Sequence, residues 1–421
     1  MTDQPRTSRL PPREWHALLA AALVYAILIA VVAAWRAEST SDFRDFWENA
    51  VHFRQTGEIS TQLGVHNYLP FFTIFMLPWG LLPLHVAIVV FTLLSLGLFG
   101  VTVYLAESLL NDALRRGPRL ALLLSVALVL PYVHSCAVLG NVGLLVLFLI
   151  VTAWYLLERG RDTAAGCALG LAVLIKLLPG VLVVFLLLKR RWHAAGTAAA
   201  VVVILGLGLP VLAVGGSRTV QLHQEFFRGA VQGGSAITTL TADQPQKAMY
   251  SNNAVPIVLR RLLTPLDGGK EAAGALRVNV TDLPRPALVS LYLALMALFV
   301  GGCVAATMWG VHRWPPEDVD GVRTLRAQFG AWCCLMLLAS PLVWTHYLPL
   351  AYWPLALLTD HLIRAWRVEH RAPLGTVVAL SGWLVAIMLL AWPAARAAGA
   401  QTAAVVVLWI AMIGLSRRSA P

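Results

Sequence analysis

Long apolar runs recur along this chain from residue 15 to residue 416, and no polar stretch of domain size separates them. A helix needs about 20 apolar residues to cross a hydrocarbon core of roughly 30 Å. A backbone inside lipid must satisfy its own hydrogen bonds, and these runs are far longer than the strands of a membrane barrel. The sequence therefore predicts an all-α, polytopic membrane protein with a single membrane domain over residues 1–421.

The composition favours a membrane environment and excludes a soluble globule. Of the 421 residues, 58% are hydrophobic and only 13% are charged, which is too little polar surface for a water-soluble protein of this size. The net charge of +11 does not indicate a nucleic-acid partner, because the basic residues stand in short clusters between apolar runs. The five cysteines show neither a disulfide framework nor a zinc-site spacing. We therefore expect membrane lipids, and no nucleic acid, around the chain.

Ten runs predict transmembrane helices, and two further apolar segments are ambiguous. The ten predicted spans are 15–34, 84–106, 119–134, 139–157, 193–215, 286–310, 327–342, 347–364, 374–394 and 402–416. Segment 68–83 contains prolines, and segment 163–188 is interrupted at 176–180, so each either re-enters the membrane or forms a pair of short helices. The sequence thus predicts about 10 to 12 transmembrane helices. The first run follows a basic segment and lacks a clean cleavage site, so we expect an uncleaved signal anchor.

The basic clusters predict an orientation in the plasma membrane. If the N-terminus is cytoplasmic and both ambiguous segments return to the side they left, every cluster lies on the cytoplasmic side, as membrane topology favours. The clusters are Arg6, Arg9 and Arg13; Arg115, Arg116 and Arg119; Arg159 and Arg161; Lys189, Arg190 and Arg191; Arg313, Arg323 and Arg326; Arg364, Arg367 and Arg371; Arg417 and Arg418. Both termini are then cytoplasmic, while the first loop 35–83, the long loop 217–285 and the segment 340–347 face the outer compartment. These three segments can therefore share one site on the outer face.

The first outer loop carries an acidic segment with helical periodicity. Phe43, Phe46 and Trp47 recur on one face, while charged residues occupy the other. This pattern predicts an interfacial helix that lies on the membrane. Asp42 either caps this helix or acts as a general base toward a hydroxyl at the lipid–water boundary. Asp45, one turn later, is the reserve candidate for the base.

Two polar residues within apolar runs are further candidates. Lys176 stands alone before Pro179, and a cation at that depth needs a partner such as a carboxylate, a phosphate or a carbonyl. The alternatives for Lys176 are snorkelling and capping of the broken helix. Asn141 follows Gly140 near the outer face, where an amide more often ties neighbouring helices together.

Two outer segments add candidate sugar and phosphate ligands. Asn252 and Asn253 precede Arg260 and Arg261 by fewer than ten residues, and guanidinium groups match phosphate oxygens. An isolated arginine pair is also commonly a solvated or headgroup-binding face. His346 lies where one predicted span ends and the next begins, and its imidazole can donate to a phosphate or a hydroxyl. The sequence has no Walker loop, dinucleotide fingerprint or nucleophile elbow, so the reactive group must arrive with the substrate.

The order of these features resembles glycosyltransferase family 87, the polyprenyl-phosphate-mannose-dependent α-mannosyltransferases of the GT-C membrane fold, over most of the chain. The motifs that carry the resemblance are Asp42-Phe43-Arg44-Asp45-Phe46-Trp47; Tyr68-Leu69-Pro70-Phe71-Phe72 with Pro78 and Leu81-Leu82-Pro83; Gly140-Asn141; Lys176-Leu177-Leu178-Pro179 with Arg190-Arg191-Trp192; Ser251-Asn252-Asn253 before Arg260-Arg261-Leu262-Leu263; and Ser340-Pro341 with Trp344 and His346. The sequence departs from the family's frequent Tyr-Pro-Pro at Tyr68-Leu69-Pro70, and from its common His-His at His346-Tyr347.

The resemblance implies a hexosyltransferase that moves a sugar, mannose in this family, from a polyprenyl-phosphate donor to a hydroxyl of a glycolipid or glycan. Transfer would occur on the outer face, with inversion, and without a metal or cofactor. The family's first-loop aspartate corresponds to Asp42, and its late histidine corresponds to His346. The alternative from another class is a transporter or flippase for polyprenyl-linked lipids or sugars, because Lys176 and two broken segments also suit a substrate pathway.

Overall fold

The computed structural model describes residues 12–39, 41–60, 68–114, 119–232, 235–243, 248–269, 275–308, 314 and 318–417. This part of the chain is almost entirely helical, which confirms the predicted all-α architecture. Its first ten α-helices are α1 (Pro12–Arg36), α2 (Asp42–Thr56), α3 (Pro70–Met76), α4 (Leu84–Leu114), α5 (Arg119–Val138), α6 (Gly143–Glu158), α7 (Asp162–Ile175), α8 (Gly180–Leu188), α9 (Trp192–Val203) and α10 (Leu209–Val214). The next nine are α11 (Gly216–Gln232), α12 (Ala236–Thr241), α13 (Val255–Leu263), α14 (Arg285–Met308), α15 (Val319–Leu338), α16 (Tyr352–Glu369), α17 (Leu374–Met388), α18 (Pro393–Ala397) and α19 (Ala400–Arg417).

Short 3₁₀ and π segments connect some of these helices. The 3₁₀ segments are Trp79–Leu81, Thr345–Ala351 and Leu389–Ala391, and a π segment, Ile204–Gly208, joins α9 to α10. Seven helical stretches in the described residues are long and apolar enough to cross a membrane: His16–Arg36, Leu84–Leu110, Leu120–Val138, Trp192–Val214, Arg285–Met308, Leu374–Ala391 and Ala400–Arg417. The chain is therefore an integral membrane protein.

Helix α15 forms the centre of the bundle. Nearly every residue from Thr324 to Leu338 is buried, and the helix packs against α8, α14, α16 and α19. An aromatic cluster fixes its middle, where the rings of Trp154 and Phe329 stack with centroids 4.2 Å apart. Phe185 of α8 packs beside both rings. The segment 180–188 is thus anchored to the core of the bundle.

Helices α7 and α8 form a hairpin that returns to the end of the bundle from which it starts. Asp162, at the start of α7, pairs with Arg191, which follows α8. Small residues let α7 lie directly against α9, since a Cβ at Gly166 would meet the carbonyl oxygen of Ala194 at 2.4 Å. Helix α7 has 14 residues and rises about 21 Å. Lys176 therefore lies at the tip of the hairpin, far from its charged base.

The segment 68–83 also re-enters rather than crosses. Trp47 Nε1 of α2 donates to the carbonyl of Leu82 at 2.9 Å, and the ring of Phe46 packs edge-on against Tyr68 with centroids 5.1 Å apart. Both ends of the segment therefore contact α2. Gly80 permits this packing, because a Cβ there would lie 3.1 Å from the Cβ of Ala50.

Charged side chains that the sequence assigns to one side of the membrane do meet at one end of the bundle. Arg326 Nε donates to Glu158 Oε1 at 2.8 Å, and Lys189 Nζ donates to the carbonyl of Thr307 at 2.9 Å. These contacts join the end of α6 to α15 and the end of α8 to the end of α14. The first loop lies at the opposite end, which we call the outer end.

Three helices begin four or more residues away from the start of the predicted span, each for a local reason. Helix α6 begins at Gly143 rather than at 139, because Gly140 adopts a positive φ of 63° that ends α5 in a turn. Helix α15 begins at Val319 rather than at 327, since its first turns carry charged residues that hydropathy alone does not assign to a span. Helix α16 begins only at Tyr352, after the 3₁₀ segment that contains His346.

Candidate active site

Asp42 stands at the first position of α2 and does not cap it. The cap is Ser41, whose Oγ accepts from the backbone N–H of Arg44 at 3.4 Å. The Asp42 carboxylate turns away from its own helix, and 34% of this side chain is exposed. The capping interpretation of Asp42 was therefore wrong, and the carboxylate remains accessible to a substrate.

The start of α2 is docked on the turn that joins α5 to α6. The backbone N–H of Phe43 donates to the carbonyl of Leu139 at 3.1 Å, and Ser41 Oγ donates to the same oxygen at 3.2 Å. A Cβ at Gly140 would lie 2.5 Å from the Cβ of Phe43. Only glycine allows both the positive φ of residue 140 and the close approach of α2 to this turn. Gly140 therefore determines where the start of α2, and with it Asp42, lies.

Asn141 joins this turn to the carboxylate. Its Nδ2 donates to Asp42 Oδ2 at 2.8 Å, and its Oδ1 accepts from the backbone N–H of Gly143 at 2.9 Å. The amide thus caps the start of α6 with one end and holds Asp42 with the other. Asn141 is 2% exposed, so this bond to an ionised acceptor is shielded from water.

His346 completes the surroundings of the carboxylate. Its Nε2 lies 3.5 Å from Asp42 Oδ2, and its side chain is 10% exposed. Gly143 allows the backbone of His346 to approach the start of α6, because a Cβ at residue 143 would lie 3.1 Å from the carbonyl oxygen of His346. Residues separated by more than 300 positions in the sequence therefore meet at one carboxylate.

Lys176 brings a positive charge to the same place. Its Nζ lies 3.2 Å from the ring centroid of Tyr347, a cation–π contact with the neighbour of His346. Lys176 is 7% exposed, and within the described residues its Nζ has no hydrogen-bond partner. The tip of the α7–α8 hairpin thus presents a buried ammonium near Asp42.

Burial and charge act on Asp42 in opposite directions. Burial raises the pKa of the Asp42 carboxyl, whereas the Asn141 hydrogen bond and the charge of Lys176 lower it; burial prevails. The result is a carboxylate that binds a proton more readily than an ordinary aspartate. Such a shift improves its match to a general base near neutral pH.

Asp45 has a different environment. It is an exposed residue of α2. The pKa of its carboxyl is raised, first by partial loss of hydration and then by the negative charges of Asp42 and Glu48. The structure therefore brings Asp42, Asn141, Lys176 and His346 together and leaves Asp45 at the edge of this group.

The two asparagines of the long outer loop hold the segment that carries His346. Asn252 Oδ1 accepts from the backbone N–H groups of Ala254 and Val343 at 3.1 and 3.2 Å. The backbone N–H of Asn253 donates to the carbonyl of Val343 at 2.6 Å. These contacts fix residue 343, three positions before the histidine. The sugar-binding role predicted for both asparagines stays a prediction.

The two arginines that follow are directed into the same loop. Arg260 Nη1 donates to the carbonyls of Leu240 and Ala242, both at 2.9 Å. Arg261 donates to the carbonyls of Met249 and Asn252, both at 2.7 Å. Both side chains are buried, so the structure uses them to hold the outer loop together. Their predicted phosphate contact stays untested.

Several residues of this site were missed in the sequence. Tyr347 was not among the predicted site residues, yet its ring faces Lys176. Arg396 was not predicted to belong to the site either, yet its Nη2 donates to Thr345 Oγ1 at 2.8 Å and thereby fixes the residue before His346. The signal for Tyr347 was its position next to His346; nothing in the sequence around Arg396 indicated its partner.

Comparison with known proteins identifies related sequences. The family model described as "Glycosyltransferase family 87" matches residues 66–341. Two curated relatives, from Mycobacterium tuberculosis strains CDC 1551 and H37Rv, are each named "Alpha-(1->3)-arabinofuranosyltransferase" and are 28% identical over 205 residues, which is 47% of this chain and 47% of theirs. The alignment thus spans about half the length of the curated relatives.

A solved structure is also similar. It is described as ArnT from Cupriavidus metallidurans bound to undecaprenyl phosphate. The match covers 97% of this chain and 78% of that chain, with a TM-score of 0.47 and 14% sequence identity.

Proposed function

The chain belongs to glycosyltransferase family 87, a family of the GT-C fold, and from this membership and the surroundings of Asp42 we propose that it transfers a sugar from a polyprenyl-phosphate donor to an acceptor hydroxyl. The acceptor is a hydroxyl of a glycolipid or glycan. Transfer takes place at the outer end of the bundle, on the outer face of the plasma membrane, with both termini cytoplasmic.

The position of the Asp42 carboxylate carries this proposal. Its Oδ2 is held by Asn141, and in the described residues its Oδ1 has no hydrogen-bond partner. A base oriented by one oxygen and open at the other can accept a proton from a hydroxyl within hydrogen-bond reach. The neighbouring imidazole and ammonium are the groups that a phosphate leaving group requires.

The proposed step is a direct displacement. The acceptor O–H gives its proton to Asp42 as its oxygen bonds to the anomeric carbon. The bond between that carbon and the phosphate oxygen breaks, and both of its electrons leave with the polyprenyl phosphate. One displacement at one carbon inverts the anomeric configuration.

Lys176 and His346 serve the leaving group. The buried ammonium stabilises negative charge that develops on the phosphate, and the imidazole N–H donates to a phosphate oxygen or holds Asp42 Oδ2. The Lys176 side chain needs little movement when charge develops on the phosphate, because the α7–α8 hairpin and the Tyr347 ring already hold it in place. The family membership and this arrangement favour an enzyme over the transporter alternative.

The sugar has two candidates. The family resemblance favours mannose, and the name of the curated relatives favours arabinofuranose. Incubation of the purified chain with a panel of polyprenyl-phosphate sugars, followed by mass spectrometry of the glycosylated product, identifies the donor and the acceptor together.

The Asp42→Asn variant tests the proposed base. It keeps the shape of the side chain and removes the charge, so release of polyprenyl phosphate from a labelled donor should fall by about 10²- to 10⁴-fold, as for loss of a general base. Asp45→Asn is the matched control, because it removes a carboxylate one turn away on the same helix. Wild-type turnover in Asp42→Asn would exclude Asp42 as the base.

The same assay separates the enzyme from a transporter. A transferase releases polyprenyl phosphate from detergent-solubilised donor, where no membrane gradient exists. A protein that moves the labelled lipid across proteoliposomes without cleaving it would be a transporter or flippase.

A further inference from the structure

A cavity of about 230 Å³ lies between residues 59–60, which follow α2, the start of α3 and the amphipathic helix α11. Its walls combine polar groups with apolar side chains. They are formed by Ile59, Ser60, Tyr68, Leu69, Pro70, Thr73, Leu222, Glu225, Phe226 and Gly229. Nothing in the proposed chemistry of Asp42 uses this space.

Tyr68 connects the cavity to the catalytic carboxylate. Its ring lines the cavity and packs against Phe46, which lies one turn after Asp42 on α2. The ring is held by stacking on Phe72, with centroids 4.2 Å apart, and by the edge of Phe46. A ligand in the cavity therefore lies on the other side of one tyrosine from the base.

A buried hydrogen-bond network holds two of the lining residues, Ser60 and Thr73, in place. Asn49, which is fully buried, accepts from Thr73 Oγ1 at 2.9 Å and donates to the carbonyl of Ser60 at 2.8 Å. This network ties α2 to α3 and to residue 60, so two walls of the cavity are fixed relative to Asp42. The third wall, α11, rests on them through Leu222 and Phe226, which are buried.

The chemistry of the walls selects a neutral polyhydroxyl compound over a phosphate. The charged group among the lining residues is the carboxylate of Glu225, which also pairs with Arg218 at 3.2 Å. A carboxylate accepts hydrogen bonds from sugar hydroxyls and repels phosphate oxygens. The Tyr68 and Phe226 rings offer apolar faces to the C–H groups of a sugar.

We propose that this cavity binds the terminal sugar ring of the acceptor and directs one of its hydroxyls past Tyr68 toward Asp42. The inference rests on the proposed function, and it assigns the two substrates to opposite sides of the base. The donor phosphate lies with Lys176, and the acceptor sugar lies with Glu225 and Phe226. The repulsion between Glu225 and a phosphate keeps the two sites distinct.

Binding of simple glycosides to the full chain in detergent tests the cavity without any turnover. The probes are the methyl glycosides of mannopyranose and arabinofuranose, observed by saturation-transfer NMR. Phe226→Leu removes the ring that lines the cavity, and Phe227→Leu removes its neighbour, which is 56% exposed and lies outside the lining. We expect at least one glycoside to bind, and to bind about 2- to 10-fold more weakly to Phe226→Leu than to Phe227→Leu.

A second pair of variants tests the polar wall independently of packing. Glu225→Gln keeps the shape of the side chain and should weaken glycoside binding about 10-fold, the lower end of the range for a hydrogen bond to a charged group. Gln224→Ala, at an exposed residue of the same helix outside the lining, should leave binding unchanged. Absence of binding by both glycosides, or equal weakening in the members of each pair, would overturn the proposal.

Kinetics separate the two hypotheses from each other. In a working transferase, Phe226→Leu and Glu225→Gln should raise the KM for the acceptor and leave the KM for the donor unchanged. Glycoside binding without any release of polyprenyl phosphate would refute the proposed function and keep the cavity. Transfer with an unchanged acceptor KM in both variants would refute the cavity and keep the function.

Discussion

Replacement of Asn141 by alanine tests how the reactive form of Asp42 is maintained. The amide donates to Asp42 Oδ2 at 2.8 Å, and this hydrogen bond opposes the burial that raises the pKa of the carboxyl. Without the donor, the pKa of Asp42 rises further. Since a general base must be ionised, the loss of activity should increase as the pH falls and disappear at a pH well above the raised pKa.

The size of the effect follows from the geometry. A hydrogen bond to a charged group contributes about 1.5–3 kcal/mol. The Asp42 side chain is 34% exposed, so water partly replaces the missing donor and the lower part of this range applies. A difference of about 1.5–2 kcal/mol corresponds to a 10- to 30-fold decrease in kcat on the acidic side of the pH profile.

The assay is release of polyprenyl phosphate by the purified chain over a range of pH. Asn141→Asp is the companion variant, because it still offers an acceptor to the Gly143 N–H while its own charge opposes ionisation of Asp42. The acidic limb of its profile should move to higher pH at least as far as in Asn141→Ala. An equal loss at every pH, with an unmoved acidic limb, would show that Asn141 only shapes the turn and would refute this reasoning.

Three further substitutions have expected outcomes. Lys176→Met should raise the donor KM, because it removes the proposed phosphate ligand. The melting temperature in detergent should stay the same or rise, because the variant removes a buried charge that lacks a hydrogen-bond partner in the described structure. A stable variant with an unchanged donor KM contradicts the phosphate role. Gly140→Ala should destabilise the protein by about 1–3 kcal/mol and lower activity, whereas Gly97→Ala, where a Cβ meets no atom within 4 Å, should not. Arg326→Met removes a buried guanidinium and leaves the Glu158 carboxylate, which is 15% exposed, without this partner, so it should cost about 3 kcal/mol, the low end for a broken buried pair; the exposed Arg323→Met should cost at most about 1 kcal/mol, and equal melting temperatures contradict this.

Much of the fold was predictable because lipid imposes simple rules. The lengths of the apolar runs predicted the spans. The basic clusters predicted the parity of the crossings: they all lie on one side only if both ambiguous segments return to the side from which they start. The Asp162–Arg191 pair and the Trp47–Leu82 contact agree with that parity. Helix α15 was shortened in the prediction because charged residues in its first turns lower the hydropathy, and the burial of Thr324 and Arg326 against other helices leaves no trace in hydropathy.

The site was predictable only in part. Asp42, Lys176 and His346 stood out because each is polar beside long apolar runs, and the structure places them together. Arg260 and Arg261 stood out for the same reason, but the fold directs them to backbone carbonyls, and sequence does not reveal which carbonyls a loop leaves to be satisfied. The positive φ of Gly140 and the pairing of Arg396 with Thr345 depend on contacts across more than 45 residues, which one sequence does not encode locally.

The α7–α8 hairpin has a consequence for biogenesis. A lone lysine within a membrane segment disfavours insertion by about 2.5–3.5 kcal/mol at the centre of a helix, and the ring that receives Lys176 belongs to Tyr347, which the ribosome makes much later. The hairpin tip therefore reaches its final environment only after translation has passed Tyr347, in the last fifth of the chain. Until then the lysine must be sheltered by water, lipid headgroups or the insertion machinery, so truncated chains should be recognised by quality control through this one charge.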